Sequence, residues 1–324
     1  MTAFARQTIP ARPSIVVTAA DLAQEAVALL ADFDLVYAGK TPDEETLVRI
    51  CTERQPVALI VRYSTISARI MDTSANLAVI SKHGAGIDTI DLEAAKARNI
   101  AVRAASGANA AAVAEHAFAL ILACAKGIVT MDARLRAGFW DKATHKSFEL
   151  AGKTLGLIGF GAIGRRVAEL GRAASMQVIV HDPFVASAPD GVTLVSLHEV
   201  LASSHVVSLH CPLTPENRNF INRDAISRMR DGAILVNTAR GGLINDDALI
   251  EALSSGKLRA AGLDSFQVEP LVGEHRFKNV PNVVLSPHIG GVTADAYVAM
   301  GVGAARNILD VLAARALSLP ARGG

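Results

Sequence analysis

The sequence has 324 residues, of which 51% are apolar, and its formal net charge is +1. This length predicts two domains of ordinary size, and the near-neutral charge argues against nucleic acid or a membrane surface as a partner. Residues 1–14 contain no apolar run of the kind a secretory signal needs. The scattered Cys51, Cys124 and Cys211 lack C-x-x-C spacing, which predicts reduced thiols in a cytoplasmic protein and no metal site.

In chain order, the first hundred residues alternate β-rich runs with helical ones. The predicted strands are Ile15–Thr18, Leu35–Ala38, Ala58–Arg62, Ala78–Lys82 and Ala101–Arg103. The predicted helices are Asp21–Leu30, Asp43–Thr52, Ser67–Thr73 and Asp91–Ala97. Such alternation predicts a parallel sheet covered by helices.

A second alternating series follows a long alanine-rich helix, predicted over Asn109–Gly127. Glu115 and His116 interrupt the apolar run of this helix, which indicates a buried helix rather than a membrane span. The later predicted strands are Thr154–Ile158, Val178–His181, Val206–Leu209, Ile234–Asn237, Ala260–Leu263 and Val283–Leu285. They predict a second parallel sheet.

A last helix, predicted from Thr293 to about Ala314, is expected to return to the first domain. The predicted fold is therefore α/β with two doubly wound parallel-sheet domains. Residues 105–289 would form a nucleotide-binding domain, inserted into a substrate domain made of residues 1–104 and 290–324. Two chain crossings predict a hinge, with the active site in the cleft between the domains.

The segment 154–182 contains the strongest single motif of the sequence. An apolar run leads into Gly159-Phe160-Gly161-Ala162-Ile163-Gly164, an amphipathic segment follows, and a second apolar run ends at Asp182. The glycines permit a tight turn, the approach of a pyrophosphate and helix–strand packing. The helix N-terminus offers N–H groups to phosphate, and Asp182 can accept both ribose hydroxyls. This arrangement predicts NAD; the alternative is a glycine-rich turn in some other α/β protein.

Seven motifs, in order, resemble the D-isomer-specific 2-hydroxyacid dehydrogenase family. They are Lys82-His-Gly-Ala-Gly-Ile-Asp88 with Asp91, Asn109 with Val113-Ala-Glu115-His116, the glycine motif, His210-Cys-Pro-Leu-Thr214, Asn237-Thr-Ala-Arg240-Gly241-Gly242, Gly262-x-Asp264-x-Phe266-x-x-Glu269-Pro270, and Pro287-His288-Ile-Gly-Gly291. The sequence departs from the family pattern at Thr89, Ala162 and Ser265. The resemblance implies a Rossmann NAD-binding domain inserted into a flavodoxin-like substrate domain.

Three residues form the predicted catalytic set. Arg240 follows a predicted strand, so its planar guanidinium would lie where open α/β sheets bind ligands and could hold a carboxylate with its keto oxygen. His288 is expected to be the general acid of reduction and the general base of oxidation. Glu269 would raise the pKa of the imidazole and fix its tautomer. Taken singly, the histidine would be structural and the two charged residues solvent-exposed.

The resemblance also implies the remaining binding residues. The cofactor set is Gly159, Phe160, Gly161, Ala162, Ile163, Gly164, Asp182, His210, Cys211, Pro212, Thr214, Thr238, Ala239, Asp264 and Gly290. The substrate set is Arg62, Ser64, Gly84, Ala85, Gly86, Arg240 and His288, and the N–H groups of residues 84–86 could form an anion nest. His116 is expected in a core or an interface. Trp140 lies in a segment that packs between subunits in relatives, which implies a homodimer.

The predicted function is that of an NAD-dependent D-2-hydroxyacid dehydrogenase acting as a 2-keto-acid reductase. Its substrate would be of the hydroxypyruvate, glyoxylate or 3-phosphoglycerate type. Because the sequence stops at Gly324, without the regulatory domain of many phosphoglycerate dehydrogenases, we expect the first two types more than the third. The alternative is an NAD(H)-sensing, corepressor-like binding protein, which would keep the same Arg, Glu and His.

Overall fold

In the computed structural model, which describes residues 12–318, the chain divides into two compact units. The first unit comprises residues up to Asn109 together with those from Thr293, and the second comprises Ala110–Val292. The expectation of no signal segment falls mainly on residues 1–11, and the predicted substrate domain ends with residues 319–324. Both stretches lie outside the described residues.

The first unit contains a five-stranded parallel sheet with helices between successive strands. Its elements up to residue 109 are β1 (Ser14–Val17), α1 (Gln24–Leu29), β2 (Asp34–Tyr37), α2 (Glu44–Arg54), β3 (Ala58–Val61), α3 (Ala68–Met71), β4 (Val79–Lys82), α4 (Leu92–Ala97) and β5 (Ala101–Ala104). The strand order is β2-β1-β3-β4-β5. Asp43, Ser67 and Asp91 begin helices α2, α3 and α4, because each side chain accepts a hydrogen bond from an N–H in the first turn.

The second unit contains a seven-stranded parallel sheet. Its elements are α5 (Ala110–Lys126), α6 (Ile128–Arg136), β6 (Thr154–Ile158), α7 (Ala162–Ala173), β7 (Gln177–His181), β8 (Val192–Leu194), α8 (Leu197–Ser203), β9 (Val206–Leu209), α9 (Arg223–Arg228), β10 (Ala233–Asn237), a 3₁₀ turn (Gly241–Leu243), α10 (Asp246–Ser255), β11 (Leu258–Leu263) and β12 (Val283–Leu285). The strand order is β12-β11-β10-β9-β6-β7-β8. The chain adds β7 and β8 on one side of β6 and then adds β9 to β12 on the other side, so the order of the strands reverses next to β6. Doubly wound sheets bind ligands at such a reversal, outside the carboxyl ends of the strands.

Both faces of the central strands of the larger sheet are buried. Along β10, Leu235 belongs to one apolar cluster and Val236 to the other, and along β6 the same alternation separates Ile158 from Leu157. Because successive strand side chains point to opposite faces, a strand covered on both sides must be apolar throughout. This burial holds the carboxyl ends of β10 and β11 in fixed positions, and β12 is held by its pairing with β11.

The last helix, α11 (Ala294–Ser318), belongs to the first unit. Its residues Ala304, Ala305 and Ile308 are completely buried in a core cluster shared with β1 and β3. By length and composition alone, Ala294–Arg315 could cross a membrane, and α5 with α6 would qualify only as a pair bent by 59°. Packing in the first unit thus explains part of the apolar character of α11.

The α/β fold with two parallel sheets is confirmed. Each of the eleven predicted strands is present, with ends within two residues of the prediction. The helices α8, α9 and α10 were expected only as unlisted members of the alternating series, and two further elements, the short edge strand β8 and the helix α6, were not predicted. Neither has a buried apolar pattern: β8 is partly exposed along its length, and α6 has no buried residue.

Candidate active site

The carboxyl ends of three neighbouring strands carry the predicted catalytic side chains. Arg240 follows β10, Glu269 lies in the segment after β11, and His288 lies in the loop after β12. These strands are adjacent in the sheet. Because parallel strands end at the same edge, the topology brings the three loops together within the second unit.

His288 and Glu269 form a hydrogen-bonded ion pair. His288 Nδ1 lies 2.7 Å from Glu269 Oε2, and the histidine side chain is 47% exposed. The hydrogen bond that His288 donates to Glu269 raises the pKa of His288, and the negative charges of Glu269 and Asp264 raise it further, whereas burial and the charge of Arg240 lower it. Nδ1 is committed to the carboxylate, so Nε2 is the nitrogen available to exchange a proton with a ligand.

Glu269 has a second hydrogen bond that fixes its carboxylate. The backbone N–H of Phe266 donates to Oε1 at 2.8 Å. Burial by itself would raise the pKa of Glu269, but the hydrogen bonds from His288 and Phe266, with the charges of His288 and Arg240, lower it overall. Glu269 therefore stays ionised near neutral pH, which keeps the imidazole protonated over a wider pH range.

Arg240 is positioned by a tight turn at the end of β10. The Asn237 side chain donates to the Arg240 carbonyl at 2.8 Å and accepts from the Ala239 N–H at 3.0 Å. At Gly241, an added Cβ would lie 1.9 Å from the carbonyl carbon of Phe266. Glycine is therefore required for the turn that carries Arg240 to pack against the segment that carries Glu269.

Asp264 lies beneath the His288 loop and holds it by its backbone. This carboxylate is 1% exposed and accepts from the N–H groups of Ile289 at 2.9 Å and Gly290 at 2.8 Å. The Ser286 hydroxyl donates to it at 2.6 Å. His116 Nε2, from α5, lies 2.8 Å from Ser286 Oγ and 3.3 Å from Asp264 Oδ1.

Sequence reasoning missed the positions of His116 and Ser286. The expectation for His116 was a core or an interface, and it did not include the contact with the buried carboxylate of Asp264 next to the acid–base pair. The pair Glu115-His116 inside an otherwise apolar helix indicates that a polar residue has a special role there. The sequence alone does not identify the residue that His116 contacts. Ser286 immediately precedes Pro287-His288, and nothing in its local pattern marks it as a donor to Asp264.

The glycine motif lies between β6 and α7 and fits a dinucleotide. At Gly159, where φ is +99°, an added Cβ would lie 2.6 Å from the carbonyl carbon of His210. At Gly164, an added Cβ would lie 2.3 Å from the carbonyl oxygen of Gly159. The packing of the protein itself thus requires these two glycines. Gly161 has open space around it and caps α7 without a side-chain hydrogen bond. A small residue at an uncapped helix N-terminus leaves its N–H groups accessible to a pyrophosphate.

Asp182, at the end of β7, is oriented by the same motif. Its Oδ2 accepts from the Phe160 N–H at 2.7 Å and its Oδ1 from the Phe184 N–H at 2.9 Å. Each carboxylate oxygen has a second lone pair that can accept from a ribose hydroxyl. Ala162 and Ile163 form the first turn of α7, next to the N–H groups that face the phosphate position. These residues would hold NAD by its phosphates and its adenosine ribose.

The other predicted cofactor residues follow β9 and β10. His210 Nε2 lies 2.9 Å from Ser208 Oγ, and burial lowers the pKa of His210 to about 4. Burial raises the pKa of the neighbouring Cys211 to about 11. Asn217 fixes the next loop, since it accepts from the N–H of Thr214 at 2.7 Å and donates to the carbonyl of Pro212 at 2.8 Å.

Thr238 and Ala239 differ in the groups they can offer to a cofactor. Thr238 Oγ1 is buried and has no hydrogen-bond partner within residues 12–318. The Ala239 N–H, in contrast, already donates to Asn237. A ligand in this region could therefore gain a bond from the Thr238 hydroxyl.

The remaining predicted substrate residues lie in the first unit. Arg62 follows β3, and its Nη1 donates to Asp21 Oδ1 at 3.0 Å. Its Nε is buried without a partner in the described part of the chain, as is Nε2 of the buried His83. Tyr297 donates to Asp21 at 2.7 Å, and its ring centroid lies 5.0 Å from the Arg62 guanidinium carbon.

Ser64, Gly84, Ala85 and Gly86 follow the ends of β3 and β4, which are neighbours in the smaller sheet. Gly84 has a φ of +146°, a conformation that residues with a Cβ rarely adopt. Across residues 12–318, no group of three or more His, Cys, Asp or Glu side chains is arranged to hold a metal ion.

Comparisons with known proteins agree on one family. The family model of the D-isomer specific 2-hydroxyacid dehydrogenase NAD binding domain matches residues 118–290. A hydroxypyruvate reductase of Thermotoga maritima is 43% identical over 273 residues, which are 83% of this chain and 89% of that protein. A D-3-phosphoglycerate dehydrogenase of Mycobacterium leprae is 38% identical over 303 residues, and the match covers 92% of this chain but only 57% of that enzyme. The crystal structure of the TT0316 protein from Thermus thermophilus has a TM-score of 0.85 and 36% identity, with 93% of this chain and 97% of that chain covered.

Proposed function

We propose that this chain, which belongs to the D-isomer specific 2-hydroxyacid dehydrogenase family, reduces a small 2-keto acid of the hydroxypyruvate or glyoxylate type. The chain is an NAD-dependent oxidoreductase of 2-hydroxy acids. The single observation that carries our assignment of the site is the 2.7 Å pair of His288 and Glu269 at the same sheet edge as Arg240. Bound NADH would supply the hydride.

His288 is the proposed proton donor. In reduction, the proton on Nε2 goes to the oxygen of the forming alkoxide, and in oxidation the same nitrogen takes it from the substrate hydroxyl. Glu269 supports the charged imidazolium through Nδ1, and the raised pKa of His288 agrees with that role. Glu269 acts through the histidine and does not itself exchange a proton with the substrate.

Arg240 is the proposed anchor of the substrate carboxylate. Its guanidinium is planar, always charged and able to donate two parallel hydrogen bonds. The same group would polarise the keto oxygen, on which negative charge grows as the carbonyl is reduced. This double role explains why a lysine at position 240 would be a poor substitute.

The glycine motif, Asp182 and the loops after β9 and β10 are the proposed cofactor site. Asp264 and Gly290 would border its nicotinamide side. Asp182 would repel the 2′-phosphate of NADP and accept the ribose hydroxyls of NAD, so NAD is the preferred cofactor. The cofactor site and the acid–base site both lie in the second unit. We propose domain limits at residues 105 and 289, within five residues of the limits of that unit at Ala110 and Val292, with movement at the two crossings.

The choice of substrate type rests on two facts. A relative that this chain matches over 89% of its length is named a hydroxypyruvate reductase. In addition, Asp21 already balances the charge of Arg62 at 3.0 Å, which favours an uncharged distal group over a phosphate. Ser64, Gly84, Ala85 and Gly86 are the further proposed substrate contacts.

A homodimer in the cytoplasm is proposed for the assembly and location. Exposed apolar side chains concentrate on α6 and the segment after it: Ile128, Val129, Leu135, Phe139 and Trp140. Trp140, the only tryptophan of the sequence, is 77% exposed. An apolar patch of this kind marks an interface more often than a free surface. Sedimentation analysis of the wild type and of Trp140→Ala tests the dimer, since the variant should dissociate more readily.

An NADH-oxidation screen over a panel of 2-keto acids tests the function. Turnover should be largest with hydroxypyruvate or glyoxylate and smaller with the phosphorylated substrate, 3-phosphohydroxypyruvate. The alternative of an NAD(H)-sensing binding protein predicts tight NADH binding without turnover of any panel member. That outcome would overturn the proposed enzyme activity.

A further inference from the structure

We propose that His116 is a positioning residue of the acid–base site: through Ser286 and Asp264 it fixes the loop that carries His288. The proposal rests on the proposed function, because the placement of this loop matters to catalysis only if His288 transfers the proton. His116 itself is on α5, outside the loops that carry Arg240, Glu269 and His288.

The His288 loop needs external support. His288 has a φ of +54°, in the left-handed region that disfavours residues with a Cβ. Such a conformation persists where the surroundings over-determine it. Here the two N–H groups that follow His288, those of Ile289 and Gly290, both donate to the carboxylate of Asp264. The position of Asp264 therefore determines the position of the imidazole.

Asp264 in turn depends on donors from other elements. A carboxylate that is 1% exposed is stable only when its oxygens are hydrogen-bonded. An ionised carboxylate only accepts hydrogen bonds, so the single Ser286 hydroxyl proton points to Asp264 Oδ1 at 2.6 Å. The 2.8 Å contact between Ser286 Oγ and His116 Nε2 then requires the proton on the histidine nitrogen. His116 is thus the donor at the end of the chain His116–Ser286–Asp264.

Close packing fixes His116 relative to Asp264. Leu120 lies one helical turn after His116, and a Cβ added at Gly262 would be 2.9 Å from the Leu120 Cβ. Gly262 thus lets α5 approach β11 two residues before Asp264. On the other side, a Cβ at Gly290 would lie 2.9 Å from Asp264 Oδ2 and 3.3 Å from His116 Cδ2. Helix, strand and catalytic loop therefore meet at one point, with His116 as their shared polar contact.

Four variants test the proposal in the full-length enzyme. His116→Leu removes the donor, and Ser286→Ala removes the link between His116 and Asp264. His116→Gln can place an amide N–H near the position of Nε2 without the possibility of a positive charge. His198→Leu, on an exposed face of α8 in the same unit, is the matched control. For each we would measure kcat and KM for the keto acid, the pH profile, NADH binding by fluorescence and the melting temperature.

We expect His116→Leu and Ser286→Ala each to lower kcat by about tenfold, within the range for residues that orient a functional side chain. KM for the keto acid should change little, since the Arg240 turn is held by Asn237 and not by this network. The double variant should lose no more than either single one, because both break one chain of contacts. His116→Gln should recover most of kcat, and the control should match the wild type.

Two kinetic results would contradict the proposal: kcat of both His116→Leu and Ser286→Ala within about twofold of the wild type, or an equal loss in His116→Gln and His116→Leu. If His116→Leu does not fold, Ser286→Ala and His116→Gln carry the test, and failure of all three to fold would make the network purely structural. His288→Ala is measured in parallel. Its full activity would refute the proposed function itself, whereas an inactive His288→Ala beside a fully active His116→Leu would refute only the role of His116.

Discussion

Each unit contains a cluster of polar side chains, and the two clusters differ in how completely their hydrogen bonds are formed. In the second unit, the carboxylates of Asp264 and Glu269 are held by several donors, and the imidazole of His288 is already paired. In the first unit, Arg62 is paired with Asp21 through one nitrogen, but its Nε and the Nε2 of His83 are buried without partners among residues 12–318. Burial and then the charge of Arg62 lower the pKa of His83 to about 4, so this imidazole is neutral near pH 7.

This difference matches two kinds of task. A buried polar atom without a partner costs about 1–3 kcal/mol, and such atoms are retained where something else completes them. The complete acid–base cluster agrees with its proposed task, since the transfer of a proton is the same for every 2-keto acid. The Arg62 cluster, made of Arg62, Asp21, His83 and Tyr297, is incomplete. This agrees with our proposal that it contacts the variable end of a substrate. If this distinction holds, the acid–base cluster controls the rate for all substrates, and the Arg62 cluster controls only the choice among them.

The largest effect is expected for His288→Ala. Loss of a general acid should lower kcat by about 10²–10⁴-fold, while NADH binding, measured by fluorescence, stays near the wild-type value. The reduction should be similar for glyoxylate and hydroxypyruvate, since both need the same proton. A loss confined to one substrate would mean that His288 reads the substrate and is not the shared acid.

Substitution of Arg240 should affect both binding and rate. Arg240→Ala should lower kcat/KM by about 10²–10³-fold, similar to the removal of a transition-state hydrogen-bond donor. KM should rise because the carboxylate is charged throughout, and kcat should fall because the carbonyl is less polarised.

Arg240→Lys is the matched variant, because it keeps the charge and loses the planar fork. Its losses in kcat and KM should be intermediate between those of the wild type and of Arg240→Ala. If the lysine variant retained full activity, the two-point contact would not be needed, and the charge alone would explain the residue.

Glu269→Gln should change the pH profile of reduction. Glu269 raises the pKa of His288 in the protein, so the neutral amide should lower that pKa. Reduction needs the protonated imidazole, which is lost as the pH rises through its pKa. The alkaline limb of kcat/KM should therefore move to lower pH, and kcat at neutral pH should fall by about 10–100-fold. A profile that stays in place would remove Glu269 from the acid–base pair.

Replacement of Asp182 should change the cofactor preference. Wild type is expected to favour NADH over NADPH by about tenfold or more, equivalent to about 1.4 kcal/mol of charge repulsion and lost hydroxyl contacts. Asp182→Ala should narrow this ratio, mainly by weaker NADH binding. Equal efficiency of the wild type with both cofactors would contradict the proposed role of this carboxylate.

The alternation of β-rich and helical runs in the sequence predicts the strands, and the motifs predict the positions of the catalytic loops. Residues that cap helices predict where several helices start. Asp43, Ser67 and Asp91 mark helix starts because their caps are local. The contact of His116 with Asp264 joins residues far apart in the chain and depends on how closely α5 packs on β11. Nor could local pattern predict the pairing of Arg62 with Asp21 and Tyr297, since the three residues come from three separate segments. Such contacts follow from tertiary packing.

The smallest and most selective effect is expected for Arg62→Ala. If the Arg62 cluster reads only the distal end of the substrate, the variant should lose about tenfold in kcat/KM for hydroxypyruvate, the cost of one hydrogen bond to a charged group. Glyoxylate has no distal group, so its kcat/KM should be nearly unchanged. Asp21→Asn is the paired variant: it keeps Arg62 but removes the charge that balances it, and should improve the use of a phosphorylated keto acid relative to hydroxypyruvate. Equal losses on glyoxylate and hydroxypyruvate in Arg62→Ala would show that this cluster supports the whole reaction, and the distinction between the two units would then fail.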